Sequence, residues 1–253
     1  MTRALDPPEP AGQAGVMARA RIVPPATKGS RTASKDDVRT RVLKAALRLV
    51  EKQGVADLSM REVARLARVS HQAPYHHFPD RESILAALAE DGFTMLADRL
   101  ESARDMEHSA TERIVACAGA YVRFALERPS LFRLMFRPDF VSWDRFPSVR
   151  ACGTRAFESL ITAMQGLFDV GLPPEPSARA HVVCGWSLAH GLACLLLDGP
   201  LVAKVPEVAA DAEAVIDETL TAMRLLLESR IAVAKTSVTS RELPARRRGR
   251  SAR

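Results

Sequence analysis

From residue 38 onward the chain is a succession of apolar stripes at helical spacing. Val38, Val42, Ala45 and Leu49 share one face of residues 35–53, and Gly54 marks the stop. Ser59, followed three residues later by Glu62, is a capping-box spacing that opens a second helix with Met60, Val63, Ala64 and Ala67 as its apolar face. Arg68 and Val69 form the turn, Val69 plugs the angle, and Ser70 is placed to cap a short third helix over residues 71–78. Asp80, with Ser83 close behind, caps a longer helix reaching about residue 104, with Ile84, Leu85, Leu88, Phe93, Met95 and Leu96 as its apolar set. Further on, the spacing predicts helices over 110–127, 130–136, 146–170, 177–197 and 209–234. Arg128-Pro129, Leu172-Pro173-Pro174 and Asp198-Gly199-Pro200 are the breaks. No stretch reads as a strand, so the expected fold class is all-α.

The charge is uneven. Residues 1–35 carry six basic and two acidic side chains, and residues 241–253 carry six and one. Residues 36–81 hold nine basic against six acidic side chains, which leaves residues 82–240 at −6 within a chain of net charge +6. A basic head on an acidic body suits a protein that presents one end to a polyanion. Two short helices about a tight turn over 59–78 make a helix-turn-helix, whose second helix lies in a DNA major groove. Gln72 suits bidentate contact with adenine and a His71 ring nitrogen can meet guanine. Tyr75 and His77 are placed for phosphate. The expected DNA-facing set is Ser59, Arg61, Ser70, His71, Gln72, Ala73, Tyr75, His76, His77 and Arg81.

These residues resemble the TetR family of bacterial transcriptional regulators. The resemblance runs over residues 40–93, through TRVLKAALRLVEKQG, LSMREVARLARVS and PYHHFPDRESILAAL. Two positions depart from the family pattern. Arg68 stands where the turn usually holds glycine, which requires a less comfortable dihedral. Pro74 sits inside the third helix, where it lacks the N–H that would bond the Ser70 carbonyl, and so tightens or distorts the first turn. The resemblance implies an N-terminal three-helix helix-turn-helix DNA-binding domain plus a larger helical domain for ligand binding and dimerisation. The expected boundaries are 1–35, a flexible basic arm; 36–82, the DNA-binding domain; 83–234, the body; and 235–253, a basic disordered tail.

Nine of the 13 aromatic residues fall between Tyr121 and Phe168. That concentration suits an apolar pocket or an ordinary core. The segments RPSLFRLMFRPDF and CGWSLAHGLACLLLDG resemble the C-terminal domain of one TetR subgroup marked by a Trp, a His and a Gly, here Trp186, His190 and Gly191. The resemblance implies a small-molecule pocket, for which Tyr121, Phe124, Phe136, Phe157, Trp186 and His190 are the candidates and a small apolar effector the ligand. Helix 177–197 repeats Val182, Trp186, Ala189, Ala193 and Leu196, with Gly185 and Gly191 allowing close backbone approach. The last helix repeats Ala212, Ile216, Leu220, Met223 and Leu227, with Val215 and Leu226 beside them. So much apolar surface predicts a homodimer through 177–197 and 209–234, a two-fold four-helix interface; the bland alternative is that both helices fill a monomer core.

Other chemistries find little support. The four cysteines lack metal-ligand spacing, and no HExxH, P-loop or dinucleotide fingerprint occurs, so no metal, cofactor or enzyme activity is expected. Gly185-Trp186-Ser187 lacks the final glycine of a nucleophile elbow. Residues 1–20 contain no hydrophobic run, and the longest apolar run, 182–197, falls short of the roughly 20 residues of a membrane span. A cytoplasmic protein acting on double-stranded DNA as a ligand-responsive repressor is the leading expectation. Two alternatives stand beside it: a sequence-tolerant DNA-coating protein driven by its basic ends, and a helical sensor in which Pro74 has abolished DNA binding.

Overall fold

The computed structural model describes residues 35–242 apart from His108 and Pro176; the basic arm up to residue 34 and the tail from residue 243 lie outside the described residues. Those described hold ten α-helices, one short 3-10 segment and no strand. The first helix, α1, spans Lys35–Gln53 and stops where Gly54 takes φ +88°. Helix α2, Met60–Ala67, starts at Ser59, whose hydroxyl accepts from the Glu62 N–H at 3.3 Å. Asp80 begins α3, Arg81–Asp105, by accepting from the Ser83 N–H at 2.8 Å. Both caps satisfy backbone donors that a helix start leaves orphaned.

Proline starts four of the seven helices that follow. In α5 (Pro129–Met135), α6 (Pro147–Asp169), α8 (Pro200–Lys204) and α9 (Pro206–Ala210) it occupies the first turn, where a missing N–H costs nothing. Helices α4 (Ala110–Glu127) and α7 (Ala178–Leu197) are instead capped by Ser109 and Ser177. The spacing did not anticipate α8 and α9. It also ended the last helix too early: α10 runs Ala212–Glu242, so residues 235–242 are helical and not the start of a tail. The reason lies in the sequence, since no glycine or proline interrupts the chain from Ala212 until Pro244.

Helix α3 ties the molecule together. Ile84, Leu85, Ala86, Ala87, Leu88 and Ala89 are buried in succession, so the helix has no solvent face over these residues. It packs on α1, α4, α5 and α6, and α4 in turn carries α6, α7 and α10. Gly92 lets α3 and α5 close up, because a Cβ there would lie 2.7 Å from the Met135 sulfur. Met95, expected on the inner stripe, is instead exposed. Helix α7 has the length and composition of a membrane span, yet Val182, Ala189, Leu192, Ala193 and Leu196 are buried in the core. Gly191 has no neighbour within 4 Å of where a Cβ would be, so the close approach expected there does not occur within this chain.

The turn after α2 carries a left-handed residue. Arg68 has φ 55° and ψ 48°, and its N–H and that of Val69 bond back to the carbonyls of Arg65 and Ala64. The Arg41 guanidinium donates to the carbonyls of Ala67 and, at 2.8 Å, Arg68. These bonds offset a conformation that costs an L-residue about 1–2 kcal/mol. Arg68→Gly should therefore raise stability, by up to about 1 kcal/mol after the added freedom of the unfolded chain is subtracted. Arg41→Ala should lower it by about 1–2 kcal/mol. Urea unfolding followed by circular dichroism measures both, and a destabilising Arg68→Gly would contradict the account.

Candidate functional site

The segment after the turn is shorter and tighter than the helix expected over residues 71–78. It is a turn at 71–72 followed by a 3-10 segment, Ala73–His76. Pro74 offers no N–H to the Ser70 carbonyl, and the Ala73 N–H takes that carbonyl instead at 3.0 Å. Tyr75 then bonds to Gln72 at 3.1 Å and His77 to Pro74 at 3.0 Å, all with the i→i−3 pattern of a 3-10 turn. Ser70 thus contributes its carbonyl rather than the side-chain cap the sequence suggested. Pro74 and Phe78 are buried and anchor the segment, and the Arg39 guanidinium lies 5.5 Å from the centre of the Phe78 ring.

What remains outside is a polar, aromatic edge. Arg61, Ser70, His71, Gln72, Tyr75 and His76 are exposed, while Ser59, Ala73 and His77 are half-buried. The rings of His71 and Tyr75 sit 6.0 Å apart. Arg81 is a correction. Its guanidinium donates to the carbonyls of Leu58 at 3.0 Å, Ala56 at 3.3 Å and Val55, so it braces the α1–α2 loop against the start of α3. Sequence spacing could not show this, because the three carbonyls lie more than twenty residues away.

The second site is an apolar cavity of about 280 Å³ between α3, α4, α6 and α7. Of the residues singled out above, Tyr121, Phe136, Phe157 and Trp186 line it, joined by Phe93, Trp143, Cys117, Met223 and an α6 stripe of Arg150, Gly153, Thr154, Phe157 and Leu160. Phe124 is a correction: it is buried in the core and does not line the cavity. His190 faces a shallower hollow that shares Phe136, Trp143 and Trp186 with the cavity. The α6 stripe follows helical spacing and could have been found from the sequence; Phe93 could not, since it enters from another helix.

Three polar groups at the cavity wall bond to one another. The Trp186 N–H donates to the Tyr121 hydroxyl at 3.3 Å, and that hydroxyl lies 2.8 Å from His190 Nδ1. Burial lowers the His190 pKa and raises that of Tyr121, so both stay neutral near pH 7. The other imidazole nitrogen lies 3.5 Å from Cys194 Sγ. Burial pushes the Cys117 thiol up to about 11, which makes it an inert apolar filler. Among the described residues, no group of His, Cys, Asp or Glu is arranged to hold a metal ion.

A clasp joins the two regions. Arg145, in the α5–α6 loop, bonds through its guanidinium to both Asp80 and Glu82, and the Ser142 N–H donates to Glu82 at 2.9 Å. Trp143, between Ser142 and Arg145, lines the cavity. Asp80 is also the α3 cap, two residues after the anchored Phe78. The Arg145 guanidinium, seconded by the Ser83 bonds, holds the Asp80 carboxyl down at about 2.

Comparison with known proteins agrees with this geometry. The family model described as bacterial regulatory proteins, tetR family, matches residues 42–88, and that described as tetracyclin repressor-like, C-terminal domain, matches 114–223. An HTH-type transcriptional regulator of Mycobacterium tuberculosis (strain ATCC 25618 / H37Rv) is 26% identical over 153 residues. That alignment covers 58% of this chain and 65% of the relative, a little under two thirds of its length. A solved structure of a protein of unknown function from Rhodococcus sp. RHA1 is 32% identical, covers 81% of this chain and 99% of its own, and superposes with a TM-score of 0.64. The crystal structure of AibR in complex with isovaleryl coenzyme A and operator DNA shares the fold at 18% identity, covering 62% of this chain and 85% of its own with a TM-score of 0.51.

The depressed Asp80 carboxyl sets a pH dependence. Its contribution to stability is complete above its ordinary value of 3.8 and is lost as pH falls towards about 2. Asp80→Asn keeps an oxygen to cap α3 but removes the charge that Arg145 holds. The wild-type chain should be the more stable of the two above about pH 4, with the difference closing as pH falls below that value. Urea midpoints measured from pH 6 to pH 3 test this, and a gap that stays constant would refute the clasp.

Proposed function

We propose that this chain, which belongs to the TetR family of bacterial regulatory proteins, is a sequence-specific, ligand-responsive DNA-binding regulator that acts as a homodimer. The observation that carries the reading is the exposed edge over residues 70–77, held outward by buried Pro74 and Phe78. Gln72 and His71 are exposed on it, with donors and acceptors suited to base edges. Tyr75 and His77 flank them and suit phosphate. The basic balance of residues 36–81 against an acidic body turns this end towards a polyanion.

A pair of reading heads follows from the outer faces of α7 and α10. Each helix buries one stripe within the chain and leaves large apolar side chains outside: Val183, Leu188 and Leu195 on α7, Leu225 and Leu226 on α10. Gly191, on the same outer face of α7, is open to close approach by another helix. Burying these faces against a second copy places two heads on one duplex, so the target is a roughly palindromic operator with half-sites about one helical turn or more apart. The cavity supplies the effector site. A ligand there weakens DNA binding only as far as it favours a head spacing the operator does not accept. Repression in the cytoplasm is taken as part of this reading, by likeness to the family. AibR, of the same fold, has been solved in complex with isovaleryl coenzyme A and operator DNA, which supports a ligand and DNA sharing this architecture.

The test is fluorescence anisotropy on the DNA upstream of the chain's own coding gene, against scrambled DNA at moderate salt. Gln72→Ala should relax base preference by about 1–3 kcal/mol at one position per half-site, while Tyr75→Ala should weaken binding to all sequences alike. Unchanged affinity in both variants would contradict the reading head. Leu226→Glu should convert a dimer to a monomer in sedimentation velocity and lower operator affinity at least tenfold. A variant that stays dimeric would move the interface elsewhere.

A further inference from the structure

The cavity's own polar groups are satisfied within the wall. The Tyr121, Trp186 and His190 chain is closed, the Thr154 hydroxyl bonds to the Arg150 carbonyl at 2.9 Å, and the Cys117 thiol bonds to the Leu100 carbonyl at 3.6 Å. Nothing in the interior therefore asks for a polar ligand. Among the described residues that line the cavity, Arg150 alone is charged. It begins the α6 stripe and stands at that end of the cavity, beside Gly153 and Thr154. Its side chain is 56% exposed, so the charge sits at the mouth rather than in the apolar interior. Among the described residues the guanidinium pairs with Asp144 alone, whose side chain is 91% exposed. An exposed pair of this kind is weak and readily exchanged for another carboxylate. Arg145 nearby is already engaged by Asp80 and Glu82.

Volume limits the rest of the ligand. An apolar cavity of roughly 150 Å³ accepts benzene, so 280 Å³ holds about twice as much, two fused rings or a chain of on the order of ten carbons. From these observations we propose that the cavity takes a monoanionic amphiphile: an organic acid whose apolar body fills the aromatic interior and whose carboxylate takes the Arg150 guanidinium from Asp144. This rests on the reading of the cavity as the effector site. Arg suits the task because its planar fork meets a carboxylate with two parallel hydrogen bonds. The head group stays at the wet rim, so it selects the ligand without being stripped of water, while burial of the tail supplies most of the affinity.

The chain reports its own occupancy, because both of its tryptophans, Trp143 and Trp186, line the cavity. Decanoate and 1-decanol, matched in chain length, are titrated below their aggregation limits into the full-length protein without DNA, and intrinsic fluorescence is recorded. Decanoate should bind at least tenfold more tightly than the alcohol. Arg150→Gln should abolish that preference by weakening decanoate at least tenfold and leaving the alcohol unchanged. Asp144→Asn, which frees the guanidinium, should tighten decanoate a few-fold and leave the alcohol alone. Equal binding of acid and alcohol by the wild type, or a preference for the acid that survives Arg150→Gln, would overturn the anionic head while leaving the cavity a ligand site. If neither compound binds, the proposal falls together with the assignment of the cavity as the effector site. If both bind as expected and operator affinity does not respond, the acid site stands and the regulatory reading fails.

Discussion

Burial of the first half of α3, over residues 84–89, is the constraint from which the rest of the arrangement follows. Six consecutive residues, 84–89, are buried, so the helix cannot slide or rotate without opening the core on several faces at once. Interiors packed at crystal-like density transmit such displacements rather than absorbing them. Its first turns complete the core of the DNA-facing lobe with Phe78, Val63 and Val42, and its later turns present Phe93, Leu96 and Leu100 to the cavity. One rigid rod thus belongs to both regions. The cap at its start is equally shared. Asp80 closes the helix by accepting from Ser83 and is itself gripped by Arg145.

That sharing gives the cavity a short physical route to the exposed edge over residues 70–77. Trp143 lines the cavity and Arg145, two residues on, holds Asp80; Asp80 is two residues past Phe78, which anchors the 3-10 segment. No step in this chain is longer than a side-chain contact. Coupling needs more than contiguity, since a ligand shifts an equilibrium only by its difference in affinity for the two states. The loop meets the structural half of that requirement, because its aromatic side chain faces the space a ligand would occupy and its cation faces the lobe.

Local signals were legible in the sequence wherever one stretch of chain decides its own conformation. The bounds of α1 follow from its stripe and Gly54, and the caps at Ser59 and Asp80 follow from the spacing to Glu62 and Ser83. The distortion at Pro74 was readable as chemistry, but its outcome was not: a 3-10 turn replaced the helix because Pro74 and Phe78 are both held in the core. The cavity shows the same division. Tyr121 and Phe124 lie three residues apart on α4, and periodicity treats them alike. Only the neighbouring helices decide that one ring faces an open space and the other a filled core. Arg81, read as a DNA contact from its position and charge, was claimed by three carbonyls that the α1–α2 loop brings to it.

The walls of the cavity are also the carriers of the outer apolar faces, and this sets what a ligand can influence. Helix α7 contributes Gly185, Trp186 and Ala189 to the cavity while its opposite side exposes Val183, Leu188 and Leu195. Helix α10 contributes Met223 and exposes Leu225 and Leu226. Between ligand and outer face there is one helix, about 10 Å thick. Helix α4, which carries both, lines the cavity with Ile114, Cys117, Ala118 and Tyr121. Filling the space therefore presses on the same three helices that a second copy would meet or lean upon. In the dimer proposed above, the separation of the two heads would be set by how these faces pack, and the volume of the occupant would become a distance between the two exposed edges.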